Sequence, residues 1–295
     1  MRAALLPDRG VVKVAGDEAR TFLNGLLTAD IEQVAPPSAR FGALLTPQGK
    51  IIVDCIVVEA EADEGGGFFL DCPRALAPNL VDRLKFYRLR AKVSVDDVSQ
   101  SLGVLAIWDG AGSTKLALVY ADPRLPALGQ RAILPPESAP QAAADLGAKL
   151  VEAAEYDAHR IALGVPRGGL DFTYGDAFPH ESNMDQLNGV DFAKGCYVGQ
   201  EVVSRMEHRG TARNRIVPVA AEGSAPDAGL PVMAGDKQVG LTGSAAGSQG
   251  LAMLRLDRVA DAQAAGTRLT AGGVTIHPRK PDWARFPFPG DKAAE

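Results

Sequence analysis

Residues 191–215 read DFAKGCYVGQEVVSRMEHRGTARNR, and the chain changes character on either side of them. Beyond Arg213, short apolar runs at 216–220, 239–242, 251–256 and 274–277 alternate with Gly-rich turns, which predicts a small all-β barrel with a tail over 211–295. The glycines of 243–250 (GSAAGSQG) read as barrel turns rather than a nucleotide loop. Upstream, 10–15 reads as a strand. Over 17–28, Ala19, Phe22, Leu23, Leu26 and Leu27 follow the spacing of one helical face. Runs at 41–45 and 51–59 flank Thr46-Pro47-Gln48-Gly49-Lys50, a hairpin signal, and are followed by a strand at 68–71, a helix over 75–88 and a strand at 91–95. That order predicts an α+β portion over 1–100 rather than a doubly wound parallel sheet. A second α/β portion over 101–210 opens with LGVLAIW and LALVY, crosses a Pro-rich stretch at 123–140 read as a solvent-exposed connection, and holds a helix around 152–163 before reaching the quoted segment.

Composition bounds the function. The chain has 295 residues, 46% hydrophobic and 23% charged, so it folds, and its length fits about two domains. With 31 Lys plus Arg against 36 Asp plus Glu the net charge is -5, which disfavours stable nucleic-acid binding through a basic surface. No run approaches the roughly 18 to 20 apolar residues of a membrane span, so no membrane partner is expected. The N-terminus, MRAALLPD, is too short in its apolar part for a signal peptide. Three cysteines, Cys55, Cys72 and Cys196, with no C-x-x-C, argue against a disulfide framework and against a self-contained metal or cluster site, and fit a reducing cytosol.

Within the quoted segment, Gly195 and Gly199 bracket Cys196 and permit tight backbone geometry or close ligand approach. Lys194, an adjacent cation, favours the thiolate. From Lys194 to Arg215 there are five cations (Lys194, Arg205, Arg209, Arg213, Arg215) and two acids (Glu201, Glu207), a balance of +3 that suits an anionic ligand. A Gly-rich turn, a buried small Cys and a solvated basic helix face account for the same residues.

Asp54 stands in IIVDCIVV (51–58), where alternation places it with Ile52, Ile56 and Val58. A carboxylate among apolar neighbours is paired, protonated or used; a solvent-facing edge or a structural Arg partner explains it equally well. Glu181, in a Pro-bearing loop, could accept two bonds from a planar N–H pair. The four histidines show no metal-binding spacing.

Lys194-Gly195-Cys196-Tyr197-Val198-Gly199-Gln200-Glu201, K-G-C-Y-x-G-Q-E, resembles the signature of the YgfZ-type folate-binding proteins, and similarity extends through residues 22–30 (FLNGLLTAD), Gly49-Lys50, 85–90 (KFYRLR) and 160–166. The resemblance implies a GcvT-like architecture related to the T-protein of the glycine cleavage system, with its portions around a central hole that binds tetrahydrofolate, with or without a polyglutamate tail. It implies a monomeric accessory protein, cytosolic and bacterial, for assembly or repair of [4Fe-4S] enzymes, including tRNA-modifying ones. Its partners are then tetrahydrofolate and iron-sulfur client enzymes or assembly proteins. Carried onto this chain, Asp54 falls where the T-protein relatives contact the folate, Glu181 where the family faces the pterin, and Asn24, Arg205, Arg213 and Arg215 are further folate candidates. Cys196, with Asp54, is the candidate for chemistry. K-G-C-Y-x-G-Q-E is not the T-protein's own motif, which leaves aminomethyl or one-carbon transfer as the alternative and a turnover of its own unsettled.

Overall fold

The computed structural model describes residues 1–61, 65–210 and 212–291. Residue 211, where the barrel segment is expected to begin, and the last four residues of its tail lie outside them. The chain forms two compact units, Met1–Tyr156 with Leu187–Gln200, and Asp157–Gln186 with Glu201–Glu295. Instead of dividing near 100 and 210, the first unit therefore takes both α/β portions, and 157–186 joins the barrel.

The first unit holds two five-stranded sheets. One takes β2 (Arg9–Ala15), β3 (Ala39–Leu45), β4 (Ile51–Glu59), β5 (Phe68–Pro73) and β6 (Ser94–Asp97) in the order β3-β4-β5-β2-β6, antiparallel throughout. Its inward positions, among them Val12, Val53, Cys55, Val57, Leu70 and Cys72, pack beneath α1 (Ala19–Asn24) and α2 (Ala77–Arg88), which contribute Leu23, Leu80 and Leu84. The helix expected over 17–28 is thus only six residues long, and the strand expected at 91–95 starts at Ser94. The second sheet orders β10 (Lys149–Leu150), β1 (Arg2–Leu5), β7 (Gly103–Trp108), β9 (Gln130–Leu134) and β8 (Leu118–Ala121) as β10-β1-β7-β9-β8, and packs on α3 (Ala139–Asp145).

The stretch 123–140 is not a solvent-exposed connection. It contains β9, which pairs with both β7 and β8 and is buried along four of its five residues. Arg131 of β9 explains how a charged residue is tolerated there. Its guanidinium donates to Asp71 Oδ2 of β5 at 2.6 Å and to Asp122 Oδ2 at 2.9 Å. Arg9 of β2 donates to Asp71 Oδ1 at 2.6 Å, Arg124 to Asp122 at 2.6 Å and Tyr120 Oη to Asp71 at 3.2 Å. Every buried charge in this network, which ties one sheet to the other, has an opposite partner and hydrogen bonds, the condition under which burial is tolerated. Burial alone would push the Asp71 and Asp122 carboxyls up; the facing arginines outweigh it and hold both below the usual carboxylate range.

The second unit is a closed barrel in the order β11-β14-β13-β12-β15-β16, made of β11 (Asn214–Ala221), β12 (Pro231–Ala234), β13 (Lys237–Ala246), β14 (Gln249–Arg255), β15 (Leu269–Ala271) and β16 (Val274–Pro278). Closure leaves no sheet edge. Gly247, at φ 62°, turns β13 into β14, in agreement with the turn reading of 243–250. The segment is not all-β, because α6 (Leu256–Ala264) puts Leu256, Val259 and Ala262 into the same core as Val217, Leu254 and Ile276. The upstream residues are bound in by Arg160, at the end of α4 (Ala153–Ala162), which donates to Asp171 at 3.0 Å and to Ser244 Oγ of β13 at 2.6 Å.

Candidate functional site

The signature loop sits on the first unit and is built backwards from Thr28 and Asp191. Thr28, fully buried, donates to Gly189 O at 2.5 Å and accepts from Ala43 N, while its own carbonyl accepts from Asp191 N. Asp191 Oδ1 then accepts from the amides of Ala193 and Lys194, turning the chain so that the lysine points inward. Lys194 Nζ donates to three backbone carbonyls, those of Asn24, Leu27 and Ala29, each at 2.7 Å. Three donors meeting the carbonyls that follow a short helix is a complete match. Burial lowers the Lys194 ammonium to about 8, against the opposing pull of Asp30, Asp191 and Glu32.

Lys194 thus has a structural role beside the expected one: its ammonium caps the end of α1 and lies 5.3 Å from the centroid of the Tyr197 ring. Tyr197 is buried, and that burial, with Asp191, pushes its hydroxyl up to about 12. Asn24 likewise serves the fold, its Oδ1 accepting from Ile31 N at 3.0 Å.

The two signature glycines differ. Gly199 has φ 82°, and a Cβ there would come within 2.5 Å of Thr46 O and 3.2 Å of Gly49 Cα, so the loop crosses the β3–β4 hairpin at touching distance. Around Gly195 nothing lies within 4 Å of a Cβ position. The tight approach that the sequence suggests for a ligand is therefore made by protein at Gly199.

Between them Cys196 is exposed, whereas Cys55 and Cys72 are buried in the core under α1 and α2. Burial raises the Cys55 thiol well above its ordinary range and pushes Cys72 up to about 12. Among the described cysteines, only Cys196 is open to solvent. Asp54 is 8% exposed and lies on the face of β4 that carries Ile56, opposite Asp71 of β5. It adds to the field on the Arg9 guanidinium, so the structural-Arg explanation has a physical basis.

In the second unit two of the four arginines after the signature, Arg205 and Arg215, are engaged. α5 (Gln200–Arg209) carries Gln200, whose amide bonds Tyr197 O, and Glu201, paired with Arg205 at 2.5 Å on the surface. Arg215 is buried, donating to both oxygens of Asp185, at 2.7 and 3.0 Å, and to His180 O, with Phe286 beneath its guanidinium. Arg213 is exposed. The cations behind the +3 do not form a continuous strip, because Arg205 and Arg215 are paired with Glu201 and Asp185, and Asp185 lies outside residues 194–215. Glu181 accepts from Phe178 N at 3.0 Å and Asn214 Nδ2 at 2.8 Å, one bond per oxygen, and each oxygen keeps a second lone pair. His180, Asp185 and Glu207 bring three possible metal-ligating atoms within 4.8 Å of one another. Arg215 spans both oxygens of Asp185 and His180 Nε2 hydrogen-bonds Glu207 Oε2 at 3.0 Å, so each of the three already has a protein partner.

Residues 8–120 match the profile of the GCVT N-terminal domain, and residues 213–286 that of the CAF17 C-terminal beta-barrel domain. The human mitochondrial iron-sulfur cluster assembly factor IBA57 is 33% identical over 280 residues, covering 86% of this chain and 77% of the human protein. The chain belongs to the IBA57 family. The mitochondrial IBA57 homologue of Mycosarcoma maydis is 36% identical over 74% of this chain and 57% of its own length, and that of Neurospora crassa 33% over 77% and 56%. The chain thus spans little more than half the length of these fungal members. A crystal structure of the glycine cleavage system aminomethyltransferase T from Bartonella henselae superposes with a TM-score of 0.71 over 96% of this chain and 86% of that one, at 15% identity, which shows a shared GcvT-like fold. The expectation of a bacterial, cytosolic protein is corrected by these IBA57 relatives, which are mitochondrial proteins.

Proposed function

We propose that this protein assists the assembly of iron-sulfur clusters in other proteins, and that Cys196 is the group through which it acts. The observation that carries the reading is the signature loop, which is anchored at Lys194 and Gly199 and leaves the thiol between them exposed. The IBA57 relatives are named iron-sulfur cluster assembly factors, which supports the same class of role. One cysteine cannot hold a cluster alone, so the remaining ligands come from the recipient or from another assembly protein, and the contact is transient. The YgfZ-like signature extends the proposal to [4Fe-4S] clients, tRNA-modifying enzymes among them.

The test is complementation. In cells lacking their own factor, the wild-type chain restores the activity of a [4Fe-4S] enzyme and Cys196→Ser does not, although the variant folds with an unchanged melting temperature. Full restoration by the serine variant would overturn the role of the thiol.

Tetrahydrofolate is the ligand that the signature suggests. A buried carboxylate on β4 fits it in kind, as an acceptor for ring N–H groups. Titration calorimetry tests this separately: Asp54→Ala should weaken tetrahydrofolate binding by about 1–3 kcal/mol, and equal affinity in both chains would remove Asp54 from the reading. Formaldehyde-equivalent transfer to tetrahydrofolate by the wild-type chain would instead favour the one-carbon transferase alternative.

A further inference from the structure

The C-terminal end of α2 and the turn after it carry Phe86 and Leu89, the two most exposed large apolar residues of the described chain at 73% and 88%. Tyr87, between them, faces the other way into the core and props the Phe86 ring edge-on at 5.5 Å. Leu89 is held out by the backbone itself. The amide of Ala91 donates to Arg88 O at 2.7 Å, closing a tight turn in which Leu89 has φ 45° and ψ −103°. This is close to the first central position of a type II′ turn, which glycine occupies because a side chain there is strained. A leucine fixed in a glycine conformation and pointed at water is unfavourable twice over, through strain and through exposure, and such outliers gather where a surface has a use.

Around this pair stand Arg83, Lys85, Arg88, Arg90 and Lys92, all exposed, and none is ion-paired among the described residues. The acids beside them are Asp82 and Glu18, and Glu18 bonds the Lys92 amide. Five exposed cations within residues 83–92 thus flank two exposed apolar side chains in a chain of net charge -5.

We infer that this knob docks the protein on an anionic lipid surface, with Phe86 and Leu89 entering the headgroup–acyl boundary and the five cations lying among the headgroups. A bilayer offers an apolar layer under a continuous negative sheet, which is what two exposed apolar side chains flanked by five exposed cations complement. A protein partner would need an apolar pocket ringed by acids at matching positions. RNA would gain from the cations and the Phe86 ring but has no use for an extended leucine. The contact is peripheral, since no helix of the described residues is long and apolar enough to cross a membrane.

Flotation of the full chain with vesicles tests the inference. The chain should float with phosphatidylcholine vesicles that contain phosphatidylglycerol and not with phosphatidylcholine alone, and added salt should weaken the association because exposed charges are screened over about 10 Å at 0.1 M. Lys85→Ala should weaken it roughly fivefold, the weight of one cation at an anionic surface, and Phe86→Ser with Leu89→Ser should abolish it. Leu89→Gly separates docking from folding: it relieves the turn, so the melting temperature should rise while flotation falls. Lack of association with anionic vesicles at low salt overturns the inference. So does association that survives loss of both apolar residues, or salt-dependent tRNA retention that is indifferent to them while vesicles are ignored.

Discussion

Gly195 and Gly199 look alike in KGCYVG, yet they should respond differently to a single methyl group. Gly199→Ala forces a Cβ onto Thr46 O from a backbone at φ 82°, and should destabilise by about 2–4 kcal/mol through combined backbone strain and overpacking. Gly195→Ala meets open space and should stay within about 0.5 kcal/mol in the same urea titration. The thiols separate in the same way. On brief iodoacetamide treatment, mass spectrometry should find Cys196 alkylated first, with Cys55 and Cys72 modified only after unfolding, because both are buried and hold their protons well above neutral pH. That Cys196 is the cysteine to single out is legible from its glycine neighbours, and the structure leaves it exposed. The role of Lys194 is not: its three acceptors lie 165 to 170 residues earlier in the chain, and nothing local distinguishes a lysine that tunes a thiol from one that caps a helix.

Strand β9 shows what a proline-rich surrounding conceals. QRAIL reads as strand-like only once Arg131 has somewhere to place its charge, and its partners sit on β5 and just after β8. Arg131→Met should destabilise the chain by about 3–5 kcal/mol, because it leaves Asp71 and Asp122 buried with fewer partners. The same network sets an acid limit. The unfolded chain takes up protons at these carboxylates near their ordinary value of about 3.9, while the folded chain resists. Their stabilisation is therefore full above that value and is lost as pH falls through the lower folded values. Acid unfolding of the wild-type chain, followed by circular dichroism, should show this loss, and Asp122→Asn should flatten it. By contrast the β3–β4 hairpin, α2 and four of the barrel strands were readable, since each carries its own period of apolar residues and its own turn residues.

The way the chain assorts into two units depends on contacts of the same long-range kind. Residues 157–186 look like a continuation of the α/β portion, but Arg160 ties them to the barrel through Asp171 and Ser244, and Asp171 also accepts from the amides of Arg167 and Ser244. Arg160→Met strands a fully buried Asp171 carboxylate. Limited proteolysis of this variant should cut within 157–186 before the barrel strands, whereas the wild-type chain should resist there. Equal protection in both would mean that the segment is held by apolar packing alone.

Reading residues in order was enough to establish an α+β portion followed by a barrel, the position of the signature loop, and an acidic chain with one conspicuous cysteine. Periodicity, turn chemistry and composition act over a few residues and survive in a linear text. Which strand fills the middle of the second sheet, which unit owns 157–186, why Gly199 must lack a side chain, and which cations remain unpaired were settled only by folding. Each depends on a donor meeting an acceptor, or a backbone meeting a backbone, across many tens of residues, where the partner is chosen by geometry and leaves no mark on the neighbouring sequence.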